Sequence, residues 1–166
     1  MSDYSLFING VYDDVLRDIL AVQSVLPEQI LFLQPYAKGN IAKLAENSPT
    51  VEKPVRVFFS LTNKLNKVCY TGKLVGWHDK QALGEKELMV MNRLIYMFQR
   101  TEAGVYMDAN EKNLLSIWRL KKLSDPFSVS ELIKISDNSP LSTDRTTSGG
   151  WSYVQNVDSA WLEQYL

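Results

Sequence analysis

The sequence predicts an α+β fold, namely a small, curved, mostly antiparallel β-barrel flanked by helices. It also predicts a single domain over residues 1–166 with an N-terminal helical extension. Residues 55–77 contain two strand-like runs on either side of a five-residue polar loop, the pattern of a β-hairpin. Helical and strand-like patterns are interspersed along the chain, which is typical of an α+β domain. Gly72 and Gly76 in the second run would let the strand bend or let another backbone approach closely.

Three short elements are predicted before this hairpin. Apolar residues recur with helical spacing over residues 11–25, and Asn9 in front of them predicts the N-cap. Residues 30–33 form a short apolar run with strand character. Asn40 is expected to cap one or two helical turns through residue 44.

The hairpin itself is predicted to pair a strand over residues 55–62 with a strand over residues 68–77. Strict alternation along the second strand would give it two distinct faces. One face would carry Val68, Tyr70, Gly72, Leu74 and Gly76, and the other Cys69, Thr71, Lys73, Val75 and Trp77.

After the hairpin the patterns predict helices, strands and one long loop. In order, these are a helix over 85–101, a strand over 114–123, a short helix over 128–135 opened by an S-x-x-E capping box, a loop over 137–150, a strand over 151–155, and a helix from Asp158 through 165. Trp118, in the middle of the apolar strand, is predicted to lie in the core.

The charge of the chain is distributed unevenly. The formal net charge is −1, yet residues 51–122 carry 13 basic and 7 acidic side chains, while both flanking segments are net acidic. A locally basic middle permits a surface that faces phosphates. The alternative, which composition leaves open, is that these lysines are ordinary solvated charges.

Several classes of function lack their signatures. Cys69 is the only cysteine, so neither a disulfide nor a cysteine-rich zinc site can form within the chain. His78 is the only histidine, so a catalytic pair of a nucleophile and a histidine base would have to use it. Phosphate-loop, dinucleotide-binding and metal-ligand motifs are missing from the sequence. We therefore expect no enzyme, no cofactor and no metal. A signal peptide and an apolar run of about 18 to 20 residues are also missing, so we expect a cytoplasmic protein that does not enter a membrane.

Aromatic residues are the more promising signal. Trp77 and Trp151 each lie beside glycine and polar residues, Trp77 at the end of one predicted strand and Trp151 at the start of another. Aromatic rings stack on nucleobases, with about 1–3 kcal/mol per base. A single tryptophan, however, is more often part of a core than a ligand platform.

The run F-F-S-L-T-N-K-L-N-K-V-C-Y-T-G-K-L-V-G-W-H-D-K, within residues 55–80, resembles the central hairpin of the EVE and ASCH domains. These belong to the PUA-like superfamily, in which a strand ending in a small polar residue leads into an "i-x-G-x-g-x-V" strand and a charged loop. Ser60 stands at the first place, and Gly72, Val75 and Gly76 at the second. The helix over residues 11–25 is extra to the family pattern, and the tryptophan with which EVE domains open is not present.

This resemblance implies a barrel with a pocket at one end that binds RNA, or DNA with a modified base, in a restriction or defence context. Ser60 and Trp77 match positions on the pocket rim, and His78 and Asp79 match the loop that follows. From loop position alone, Tyr36, Arg145 and Trp151 are added to the expected base pocket. Phosphates would be bound by Lys64, Lys67, Lys73 and Lys80.

Three functions therefore remain open. The first is a reader of a modified or flipped-out base in DNA or RNA, which could work with an effector protein such as a nuclease. The second is a protein-interaction or regulatory module that binds no nucleic acid. The third is a nuclease or hydrolase on the same fold.

Overall fold

The computed structural model of the protein describes residues 2–33, 40–79, 82, 84, 86 and 113–166. Two of the predicted site residues, Tyr36 and Lys80, lie outside these ranges. The predicted helix over residues 85–101 also lies outside them, apart from Lys86.

Six strands form one mixed sheet with the order β2-β5-β4-β3-β1-β6. Their bounds are β1 Ser5–Val11, β2 Leu31–Leu33, β3 Val55–Leu61, β4 Lys67–Asp79, β5 Asn113–Ser128 and β6 Trp151–Val154. The helices with bounds in the described ranges are α1 Asp13–Val25, α2 Ala42–Glu46 and α3 Ser159–Glu163, together with a 3-10 turn at Val129–Glu131. The pair β1–β3 is parallel and the other four pairs are antiparallel.

The α+β prediction is therefore confirmed, and so is the β3–β4 hairpin. Strands β2 and β6 are the two edges of the sheet in the described ranges, so these strands form an open sheet and closure into a barrel stays a prediction. Among the described helices, none combines the length and the hydropathy that a membrane crossing requires.

One face of the sheet, here called the helix face, is covered by α1 and α2. Alternate residues of β3, which include Val57 and Phe59, pack there against Leu16 of α1 and Leu44 of α2. Tyr70 lies in the same cluster, and its hydroxyl donates a 2.7 Å hydrogen bond to Asp13 at the start of α1. Burial of this apolar surface, at about 25 cal/mol per Å², holds the helices on the sheet.

Among the described residues, the opposite face is covered near the β3–β4 turn. Phe58 of β3 and Phe127 of β5 meet edge to face with their ring centroids 6.2 Å apart. Trp161 and Tyr165, from α3 and the residues after it, pack on Phe127. Asp158 caps α3 by accepting a hydrogen bond from the amide of Ala160, as predicted.

The first prediction that needs correction concerns the N-terminal part of the chain. Asn9 does not cap a helix, because residues up to Val11 form strand β1 and α1 begins only at Asp13. Leu6 and Ile8 face one cluster and Phe7 the other. A strand that is apolar on both faces lacks the alternation by which a half-buried strand is recognised.

The second correction concerns the region after β5. The helix predicted over residues 128–135 is a single 3-10 turn, because Leu132 is already extended and Ile133 bridges to Pro140. Ser128 does accept a hydrogen bond from an amide, but from that of Ser130 rather than that of Glu131.

The third correction concerns the faces of β4. Its pairing with β5 shifts register between Val68 and Tyr70, between Thr71 and Lys73, and between Leu74 and Gly76. These irregularities interrupt the alternation that simple strand geometry predicts. Gly76 therefore faces the side opposite to Gly72, and Trp77 packs with Leu74 on the helix face.

Candidate functional site

A β-bulge in β5 determines which side chains meet on the part of the sheet that the described residues leave uncovered. Lys73 of β4 is paired with Trp118, and Thr71, two residues before it, is paired with Lys121. Three residues of β5 thus span two residues of β4. Arg119 in the bulge has a φ of 51°, which lies in the left-handed region that residues other than glycine seldom adopt.

The surroundings accommodate this bulge. An added Cβ on Gly72 would lie 3.3 Å from the Cα of Leu120, so the absence of a side chain lets the bulged backbone approach. The amide of Leu120 donates a 3.0 Å hydrogen bond to the side chain of Gln23 on α1. A backbone group that the bulge removes from the ladder is therefore satisfied.

The bulge places Trp118 and Lys121 on the same face, although their separation of three residues would put them on opposite faces of a regular strand. Cross-strand pairing adds Lys73 and Arg56 to that face, because Arg56 is the β3 partner of Lys73. We call this group the basic sheet face; it consists of Arg56, Lys73, Trp118, Arg119 and Lys121.

The indole of Trp118 lies among the cations. The guanidinium carbon of Arg119 is 3.9 Å from the centre of the ring, and the Nζ of Lys73 is 5.6 Å from it. Arg119 also forms an ion pair of 3.1 Å with Glu28, which extends from the residues after α1. Cation–π attraction of about 0.5–1 kcal/mol at exposed sites organises the cluster without neutralising it.

Among the described residues, the electrostatics of this face are unfavourable. Burial lowers the pKa of Lys73 from its ordinary value, and the charges of Arg119, Arg56 and Lys121 lower it further. Burial also lowers the pKa of Arg56. The ion pairs between described residues are Arg17–Asp13, Arg119–Glu28 and Lys134–Asp137, and none of them involves Arg56, Lys73 or Lys121.

The predicted rim residue Ser60 lies in the interior of the sheet. Its side chain is fully buried, and its hydroxyl accepts a 2.9 Å hydrogen bond from the amide of Gly10. The same hydroxyl lies 3.3 Å from the side-chain oxygen of Asn9 and can donate to it. These contacts hold β1 on β3.

The predicted residues at the end of β4 are on different faces. Trp77 packs against the helix-face cluster, and its indole N–H donates a 2.9 Å hydrogen bond to Asn113. His78 is on the side of the basic sheet face, with its Nε2 3.3 Å from where a Cβ on Gly76 would lie. Asp79 is paired with Asn113 on the neighbouring strand, and all three predicted residues are partly exposed.

The other predicted residues lie elsewhere on the sheet. Trp151 is only 8% exposed, and its indole N–H donates a 2.8 Å hydrogen bond to the carbonyl of Asn40. Arg145 packs near the β3–β4 turn, where its amide donates to Asn66 and its guanidinium carbon lies 5.1 Å from the ring centre of Phe7. Lys64 and Lys67 are exposed at the same turn.

Trp77 and Trp151 are too far apart to form the walls of one pocket. Pairing through Ile8 and Phe59 puts Trp151 level with Tyr70. Trp77 is seven residues beyond Tyr70, which is about 23 Å along the strand direction at 3.3 Å per residue. It is also three strands away from Trp151, which is about 14 Å across the sheet. Of the predicted phosphate-binding lysines that the structure describes, Lys64, Lys67 and Lys73, only Lys73 belongs to the basic sheet face.

Sequence reasoning did not single out Arg56, Trp118, Arg119 and Lys121. Trp118 was expected in the core, yet it is partly exposed. A usable signal was present in the run I-W-R-L-K-K-L, because four polar or aromatic residues interrupt an apolar strand over residues 117–123. The bulge that gathers them depends on tertiary register and leaves no local mark in the sequence.

Within the described ranges, no three His, Cys, Asp or Glu side chains form a cluster that could hold a metal ion. The thiol of Cys69 is buried, and burial raises its pKa, so the reactive thiolate is disfavoured.

Comparison with protein-family models, with curated proteins and with solved structures gave no match to this chain. The similarity to the EVE and ASCH domains therefore stays a prediction made from residues 55–80.

Proposed function

We propose that this protein binds nucleic acid and that the basic sheet face contacts the phosphate backbone. One observation carries the proposal: cations from three neighbouring strands meet beside a partly exposed tryptophan with little neutralisation from described acidic groups. Phosphate contacts of this kind supply most of the affinity of nucleic-acid-binding proteins.

The arrangement is difficult to explain by folding stability. Arg56 and Lys73 are direct cross-strand partners, and like charges in such pairs destabilise a sheet by up to about 1 kcal/mol. Arg119 adds the strain of a left-handed backbone. A bound polyanion would relieve the repulsion between these cations. The free energy recovered in this way would contribute to the affinity of the complex.

Trp118 gives the face a second mode of contact. The indole already lies beneath a guanidinium, and Lys73 is the more distant of its two cations. A base that displaced the Lys73 side chain could stack on the ring while the ammonium group moved to a phosphate. This combination of stacking and positive charge is how sequence-tolerant single-strand binding works.

The resemblance described above supplies the finer parts of the proposal. They are recognition of a modified or flipped-out base, a PUA-like barrel, a cytoplasmic location, and an effector protein such as a nuclease. Among the described residues of the expected base pocket, His78 has a position that fits this surface, because it lies on the same side of the sheet two residues beyond Gly76.

The proposal is tested by fluorescence-anisotropy titration with labelled single-stranded DNA, single-stranded RNA and duplex DNA, each with and without a modified base. We expect Lys73→Gln with Lys121→Gln to weaken binding at least tenfold. The matched control, Lys64→Gln with Lys67→Gln, removes the same charge from the exposed turn and should bind nearly as the wild type does. Equal losses in both pairs, or no binding to any probe at low salt, would contradict the proposal.

A protein-interaction module is the second candidate, and one surface favours it. Val25 and Leu26 at the end of α1 are 77% and 52% exposed, and with Pro27 and Ile30 they border a shallow cavity of about 510 Å³. Exposed apolar groups of this kind often mark partner-binding surfaces. This candidate gains if the wild type binds none of the probes and if a co-purifying protein is lost in Leu26→Ser.

A further inference from the structure

A second site lies at the β6 end of the sheet, away from the basic sheet face. A partly enclosed cavity of about 350 Å³ lies between α2, the start of β6 and the residues after the 3-10 turn. Its volume falls in the range of small-molecule pockets, about 300–1,000 Å³. Trp151 and Tyr153 supply aromatic surface to its wall.

Hydrogen bonds hold these aromatic groups in place. The indole N–H of Trp151 and the hydroxyl of Tyr153 both donate to the carbonyl of Asn40. Tyr4 supports the ring of Tyr153 from the side, with the ring centroids 5.6 Å apart and the planes at 82°. A wall whose side chains are fixed in this way can take a flat ring without first being ordered.

The charged side chains among the described lining residues are both cations. Lys43 lies with its Nζ 5.7 Å from the centre of the Tyr4 ring. Lys134 forms an ion pair of 3.3 Å with Asp137, whose carboxylate partly offsets the positive charge without occupying all three N–H donors of the ammonium group. The hydroxyls of Ser136 and Ser152 also line the cavity. This combination suits an anionic group beside an aromatic surface.

We infer that this cavity is a binding site for a nucleotide, with the ring against Trp151 and Tyr153 and a single phosphate beside Lys43 and Lys134. A free nucleoside monophosphate and the 5′-phosphorylated end of a strand share this chemistry. The inference does not depend on the basic sheet face, because α2 and Trp151 belong to the helix-face side of the sheet.

The test is isothermal titration calorimetry of the whole chain with the four common nucleoside monophosphates in turn. The nucleoside of each monophosphate, and inorganic phosphate, are titrated alone to separate the contributions of ring and phosphate. We expect at least one monophosphate to bind, and its nucleoside to bind at least tenfold more weakly. Lys43→Gln should weaken the monophosphate by a similar factor. The strand-end source is examined with a trinucleotide, with and without a 5′-phosphate.

Matched variants on α2 provide the decisive comparison. Ala42 lines the cavity and Ala45 does not, although both are exposed on the same short helix. Ala42→Met should fill the space and abolish monophosphate binding, whereas Ala45→Met should bind as the wild type does. No heat from any monophosphate at millimolar concentration, or equal binding by the two variants, would overturn the inference. Trinucleotide binding that survives Ala42→Met but is lost in Lys73→Gln would assign that binding to the basic sheet face instead and count against the strand-end source.

Discussion

Two halves of the same sheet face are built in opposite ways. Near the β3–β4 turn, Phe58 is fully buried under Phe127 and the aromatic residues at the C-terminal helix. Two residues earlier on β3, Arg56 faces the same side but lies among other cations. The two positions share a strand and a face, so on β3 itself the difference lies in the side chains.

The two halves differ in whether they stabilise the fold. The aromatic half removes apolar area from water and closes the sheet, as a core does. The basic half brings like charges together and includes a residue with a strained backbone, which a core would avoid. Local departures from the rules of stability are expected where a protein functions.

The largest effect is expected from Phe58→Ala in the aromatic half. The truncated side chain is fully buried, so the change should lower the free energy of unfolding by about 3–5 kcal/mol, through lost transfer energy and a cavity. Urea denaturation measures this change. A loss below about 1 kcal/mol would show that this half is not a packed core.

Gly72→Ala should have the next largest effect, because it acts on the bulge from the helix face. The new Cβ would lie 3.3 Å from the Cα of Leu120, and overpacking of this kind costs about 1–3 kcal/mol. Gly84→Ala is a suitable control, since a Cβ there would meet nothing within 4 Å. Equal stability of the two variants in urea would mean that the bulge does not depend on Gly72.

Lys73→Met should stabilise the protein, in contrast to Phe58→Ala and Gly72→Ala. The change keeps the apolar stem and removes a charge that faces Arg56 and Arg119, so it should raise the free energy of unfolding by about 0.2–1 kcal/mol at low salt. Lys67→Met, at the exposed start of the same strand, should change it little. A clear destabilisation by Lys73→Met would show that the basic half contributes to folding.

The smallest expected effect is a pH dependence of the stability gained in Lys73→Met. The pKa of Lys73 is lower in the folded than in the unfolded protein, so at neutral pH the charged lysine costs stability in the folded state. The cost fades as pH rises through the lowered pKa, and it is gone once the unfolded chain also loses its proton near the ordinary value of 10.5. The advantage of Lys73→Met in denaturation should therefore shrink with rising pH. An advantage that stays constant up to that pH would contradict the assigned shift.

The sequence was sufficient for elements with a strong local pattern. Helix α1, the β3–β4 hairpin and the cap at Asp158 follow from periodicity and from turn and cap residues. Strand β1 was not predicted, because it is apolar on both sides and pairs in parallel with a strand more than 40 residues away. Its position depends on contacts that no short window contains.

The candidate site was predictable only in its charge. The excess of basic residues in the middle of the chain pointed to a phosphate-facing surface, and Lys73 was among the lysines expected there. Strict alternation would have placed Trp118 and Lys121 on opposite faces. The bulge at Arg119 reverses this, and it depends on Gly72 and Gln23 from other elements.

The central claim is that the basic sheet face binds phosphates, and the salt dependence of binding to a single-stranded oligonucleotide tests it most directly. Each phosphate contact contributes a slope of about −0.7 to log K against log salt concentration for single strands. Lys73→Gln with Lys121→Gln should therefore reduce the magnitude of the slope by about 1.4, if each lysine makes one such contact. The pair Lys64→Gln with Lys67→Gln should leave it unchanged. A slope that is the same in the wild type and in the first pair would contradict the account.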